Sequence, residues 1–213
     1  MVYALTATTL IVLLIGVLLW QEIKDSKLQL LVMLLIASLI ADISSLVTIH
    51  YFKSNIISYN LFTLVETPLV LFLIGSWISP SKFSNLIHYL SAAFFLFWLF
   101  ENIFITGFYS AFADYSVLLG GIIVLFVNII YLYKLSLESY TPVVHLPQFW
   151  ISASFLIYYS VSTILLTTMG ITQSAGPQIT NMMSNFHIIV HILTTLLLLK
   201  AFRCLPKPST SLQ

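Results

Sequence analysis

Between residues 28 and 52 the chain carries one carboxylate, Asp42, one imidazole, His50, and neither lysine nor arginine. A stretch of this kind has few ways to fold. Crossing hydrocarbon takes about 20 mostly apolar residues in a helix, because no water is present to bond the N–H and C=O groups. Comparable runs recur along the chain, giving seven candidate helices at about 2–20, 28–52, 56–79, 83–108, 115–134, 148–171 and 178–202. With 60% of its 213 residues hydrophobic and 7% charged, the sequence does not describe a water-soluble domain. Its eight Lys and Arg against seven Asp and Glu leave no basic surface for nucleic acid. The expectation is an all-α integral membrane protein, a seven-transmembrane-helix bundle forming one domain over 1–205, with a short disordered tail at 206–213.

Orientation follows from the basic residues, which are retained on the cytoplasmic side of membrane helices. In a seven-span arrangement Lys24, Lys27, Lys82, Lys134, Lys200, Arg203 and Lys207 share one side, and Lys53 alone falls on the other. This predicts the N-terminus outside and the C-terminus in the cytoplasm, as a multi-pass protein of a bacterial inner membrane. The first run has no Lys or Arg ahead of it and no small-residue cleavage site, so it reads as a retained helix and not a signal peptide. Cys204, the single cysteine, has no partner for an internal disulfide.

Three acids remain inside predicted helices: Asp42, Glu66 and Glu101. An ionisable group in hydrocarbon costs at least ~2.5–3.5 kcal/mol on insertion scales, so it faces the bundle interior and marks a functional site by default. At ~1.5 Å per residue, Glu101 lies roughly 10 Å from the outer end of its helix, His187 roughly 12 Å, Asp42 and Glu66 roughly 15 Å, and His191 roughly 18 Å. All could line one cavity open to the exterior. On the last helix Asn181, Ser184, His187, His191 and Thr194/Thr195 form one stripe of the 3.6-residue period. The third helix brings Tyr59, Asn60 and Glu66, followed by Pro68, which frees the Leu64 carbonyl. Asn102 adds an amide beside Glu101. The candidate ligand- or proton-binding set is therefore Glu66, His187, Glu101, Asp42, Asn102 and Tyr59. The plainer alternative is that such residues only glue helices together through hydrogen bonds worth ~0.6–2 kcal/mol each.

Two histidines four residues apart also suggest zinc. His187-x-x-x-His191 presents both imidazoles on one face; His50 would supply a third ligand, and Asp42 or Glu66 a base or orienting carboxylate. The set resembles the seven-helix membrane hydrolases that include alkaline ceramidases and adiponectin-type receptors, and implies zinc as cofactor and a lipid as substrate. The chain departs from that group in having Leu46 where a serine is expected and Glu66 sixteen residues beyond His50. Retinal is excluded by the position of Lys200, at the cytoplasmic end of the last helix.

At Tyr59-Asn-Leu-Phe-Thr-Leu-Val-Glu66 and Pro147-Gln-Phe-Trp-Ile-Ser-Ala-Ser-Phe-Leu-Ile-Tyr-Tyr-Ser160 the chain resembles an uncharacterised family of small bacterial seven-helix membrane proteins, often encoded beside sensor histidine kinases. In that pattern His187 matches, whereas the position of His191 more often holds Asn. The resemblance implies Glu66 and His187 as a shared pair, and a membrane-bound kinase or other effector as partner. The resulting expectation is a non-enzymatic sensory or receptor-like module embedded in membrane lipids. It would take a small-molecule or lipid ligand in an outward-facing polar cavity. The alternatives are a zinc-dependent intramembrane lipid hydrolase and a small-molecule transporter.

Overall fold

A computed structural model describes residues 2–20, 26–78, 81–171 and 177–204. The charged turn at 21–25 with Lys24, the connection at 79–80, the Gly/Pro-rich turn at 172–176, Lys207 and the expected tail at 206–213 lie outside the described residues. Among the described residues the fold is entirely helical: α1 (Val2–Leu18), α2 (Ser26–Phe52), α3 (Ile56–Trp77), α4 (Ser81–Phe100), α5 (Asp114–Glu138), α6 (Pro147–Ile171) and α7 (Pro177–Arg203). Six of these, α2 to α7, are long and apolar enough to cross a membrane. The first is shorter: its 17 residues span about 25 Å at ~1.5 Å each, against a hydrocarbon core of ~30 Å.

The expected fourth segment at 83–108 is one candidate span, Asn85–Ile105, whose winding changes near its end. α4 passes at Phe100 into a π-helical turn, Glu101–Ile105, and a loop through Gly107, whose φ of 72° suits a residue without a Cβ, leads to α5. The widened turn sets Glu101 and Asn102 facing inward, both fully buried.

Helix contacts run α1–α2–α3–α5–α6–α7 and back to α1, closing a ring, with α4 outside it against α3 and α5. α1 and α7 run parallel, since Gly16 near the end of α1 faces Phe202 near the end of α7. Lys27, Lys134, Lys200 and Arg203 consequently gather at one end of the ring. There the Lys134 ammonium donates to the Ile78 carbonyl at the end of α3 (3.2 Å), and Lys200 lies over the Trp150 ring. The half nearest this basic end is filled by apolar side chains, among them Val12, Leu31, Ile74, Val127 and Ile151. Most polar interior residues lie in the other half. Outward faces carry large apolar side chains such as Leu96, Phe104, Phe126 and Ile164, the surface a lipid environment requires.

Small residues permit the closest approaches. α5 turns Gly120 toward Thr67 and Phe94, and Gly121 toward Thr163 of α6. A Cβ at Gly121 would collide with the Thr163 hydroxyl and fall 2.9 Å from its methyl, two branches that an alanine there would lack. Gly121→Ala is expected to destabilise the protein by ~1–3 kcal/mol as an overpacked contact. A thermal melt in detergent checks this, and adding Thr163→Ala should recover most of the loss.

Candidate functional site

Two cavities occupy the polar half of the ring. The larger, about 270 Å³, is walled by α1, α2, α3, α6, α7 and the start of α5. Its polar lining includes Asp42, Ser45, Asn55, Ser58, Tyr59, Asp114, Ser184, His187 and His191, and Phe62, Phe112 and Tyr158 contribute rings. A smaller pocket of about 40 Å³, room for roughly one water at ~30 Å³ each, lies deeper and contains Glu66, Thr9, Ser38, Thr194 and Thr195. Phe62, Tyr158 and His191 line both and form the partition between them.

The helices place these groups by simple periodicity. His187 and His191, one turn apart on α7, both meet Tyr158 of α6, with ring centroids 6.0 and 5.1 Å away and 6.3 Å between the two imidazoles. Asp42 on α2 faces the Thr9 hydroxyl of α1, and Glu66 on α3 faces the Tyr159 hydroxyl of α6, which makes no hydrogen bond of regular geometry. Above Asp42, α2 and α3 are joined through Asn55 Nδ2 donating to Ser45 Oγ (3.2 Å) and a Thr48–Ser58 hydroxyl contact (3.2 Å). Tyr59 stands edge-to-face with Phe112 at 5.4 Å. Two buried polar atoms on residues lining the larger cavity have no hydrogen-bond partner among the described residues: Asp42 Oδ2 and His187 Nε2. A buried polar atom without a partner costs about 1–3 kcal/mol, so each is poised to hydrogen-bond a ligand or water.

Of the residues singled out in the sequence, Asp42, Tyr59, His187 and His191 are brought together here. Glu66 lies one layer deeper. The pairing of Glu66 with His187 is not what the structure places side by side: His191 shares the pocket with Glu66, and His187 faces the larger cavity. Glu101 and Asn102 line neither cavity. The Glu101 carboxylate accepts the backbone N–H groups of Tyr115 (3.0 Å) and Ser116 (2.6 Å) and the Ser116 hydroxyl. It thus caps α5, whose first N–H groups have no partner within the helix. Asn60 completes the same knot. Its Oδ1 accepts from Ala113 N–H (3.0 Å), its Nδ2 donates to Asn102 Oδ1 (3.3 Å) and the Ala111 carbonyl (3.1 Å), and its own carbonyl takes the Trp98 indole N–H (3.0 Å).

His50 is also apart. Exposed and set edge-on to Tyr51, it does not line the cavity with His187 and His191. Among the described residues no three His, Cys, Asp or Glu are grouped as a metal site would need, and His50 stands apart from His187 and His191. Tyr158, Thr9 and Phe62 are site residues that the sequence reading did not select. A signal for Tyr158 existed in the four-residue spacing of Ser154, Tyr158 and Ser162, a polar stripe along α6.

Neither a family model nor a curated protein nor a solved structure matches this chain. The geometry itself has to carry the functional reading. For Glu101 that geometry predicts stability and not binding. Glu101→Ala strands two backbone donors and a hydroxyl in the interior, each costing about 1–3 kcal/mol. A marked drop in melting temperature is expected, smaller for Glu101→Gln, which keeps one acceptor oxygen. An alanine variant as stable as the parent protein would contradict the cap.

Proposed function

We propose that the chain is a seven-span protein of a bacterial inner membrane, N-terminus outside and C-terminus cytoplasmic, acting as a non-enzymatic sensory module. A small ligand enters the larger cavity from the outer side. Occupancy shifts the packing of α2, α3, α6 and α7, and a membrane partner reads the shift.

One observation supports this above the rest. The cavity, with its unpaired Asp42 and His187 atoms, lies in the half of the ring away from Lys27, Lys134, Lys200 and Arg203. By the retention of basic residues on the cytoplasmic side, that half faces outward. The short α1 fits the reading as a membrane segment, because Leu5 and Thr9 line the cavities alongside residues of the longer helices. The resemblance to proteins encoded beside sensor histidine kinases suggests the kind of partner. The partition of Phe62, Tyr158 and His191 gives ligand binding a route inward, since a molecule pressing on these rings also presses on the Glu66 pocket.

Thiol labelling tests the orientation and the access route together. In a Cys204→Ser background, Ser184→Cys should react in spheroplasts with a membrane-impermeant maleimide, whereas native Cys204 in the parent protein should react only after permeabilisation. The reverse pattern overturns the proposal. Stoichiometric zinc in the purified protein, lost on His187→Ala/His191→Ala, would overturn its non-enzymatic part in favour of a hydrolase.

A further inference from the structure

We propose that the larger cavity takes a small organic cation, an ammonium group on an aromatic or apolar body. The inference rests on the ligand-binding reading above and adds the chemistry of the ligand.

The charge of the lining points one way. Asp42 and Asp114 are the acids on the wall, and among the described residues no lysine or arginine lines it. Asp114 is the first residue of α5, where the positive end of the helix favours a carboxylate. Asp42 sits on the α2 wall with Oδ2 unpartnered. An anionic ligand would meet two carboxylates and no side-chain cation. A neutral ligand with one hydroxyl could satisfy Asp42 but would leave the charge of the two acids unanswered. An ammonium group brings the opposite charge together with three donors, enough for Asp42 Oδ2 and for a further acceptor in the lining.

The remaining walls favour the same ligand. Tyr59, Phe62, Phe112 and Tyr158 surround the space with ring faces and edges, and Tyr59 and Phe112 are already locked edge-to-face. Aromatic faces attract cations through the ring quadrupole, most strongly where water is excluded. They also accept the apolar body of an amine. The volume of about 270 Å³ lies just below the usual small-molecule range of roughly 300–1,000 Å³, which suits an amine of modest size.

Three probes of one shape and different charge decide the matter: phenethylamine, phenylethanol and phenylacetate, titrated calorimetrically into the full-length protein in nanodiscs at neutral pH. Phenethylamine should bind about tenfold or more tightly than phenylethanol, and phenylacetate should not bind detectably. Asp42→Asn should weaken phenethylamine about tenfold or more and phenylethanol by clearly less, as expected when one partner of a desolvated charge pair is removed. Equal affinity for amine and alcohol, preference for the acid, or no amine binding at millimolar concentration overturns the proposal. The comparison among probes on the unaltered protein stands even if the Asp42→Asn variant fails to fold. Failure of the amine while Ser184→Cys still reacts from outside removes the cation alone; loss of that labelling removes the outward cavity as well.

Discussion

In a lipid environment a polar group inside the bundle has to find its partner within the protein, and apolar contact between helices confers little advantage over contact with lipid. This constraint accounts for where the chain spends its hydrogen bonds. α5 begins beyond a loop, with orphan donors at Ala113, Tyr115 and Ser116. Asn60 from α3 takes the first and Glu101 from the π-helical turn takes the other two. The same Asn60 reaches Asn102 and receives Trp98, so three segments distant in sequence are pinned at one point. A buried carboxylate that accepts several N–H bonds is thereby accommodated as a structural group. The π-helical turn is what makes this possible, because it orients both Glu101 and Asn102 inward where the α-helix before it presents Phe100 to the outside.

Close packing supplies the rest of the adhesion. Gly120 and Gly121 are neighbours in sequence and face different helices, which lets α5 approach α3 and α4 on one side and α6 on the other. α5 is therefore held at its start by charge-assisted bonds and one to two turns further along by backbone proximity. Toward the basic end the ring closes over Val124, Val127, Ile151 and Phe202, with buried Asn128 donating to the Ser152 carbonyl among them (2.7 Å). The two halves consequently differ in emphasis: one is packed mainly with apolar side chains, while the other holds the two cavities.

The helical architecture was legible because its cause is local. Length and apolarity of each run follow from the hydrocarbon thickness, and the observed helices fall within a few residues of the runs, apart from the short α1 and the early end of α4 at Phe100. The site was legible in part. Asp42, Tyr59, His187 and His191 could be selected by asking which ionisable or polar side chains lie in the half away from the lysines. Glu101 passed the same filter for a different reason. Its partners are backbone N–H groups fourteen and fifteen residues ahead, and a backbone donor leaves no mark in the sequence. Tyr158 escaped because aromatic residues on a membrane helix ordinarily face lipid or neighbouring helices, and its role depends on α6 meeting α7 at the level of the histidines.

Separating satisfied from unsatisfied polar groups refines what an acid inside a membrane means. Glu101 and Asp42 have similar intrinsic cost in hydrocarbon, yet one is hydrogen-bonded and lines neither described cavity, and the other has a free oxygen and lines the larger one. Glu66 is intermediate, lining a pocket with room for about one water and faced by Tyr159. From Asp42 through the Tyr158–His191 partition to Glu66 the space narrows, across α2, α7, α6 and α3. Those helices meet in the ring without α4, which packs against α3 and α5. A change in what fills the larger cavity therefore acts on helices that carry few of the bonds anchoring α5. Asn60 on α3 is the exception, joining the wall that holds Glu66 and Tyr59 to the fixed knot around Glu101, and it is the point about which a movement of α3 would have to pivot.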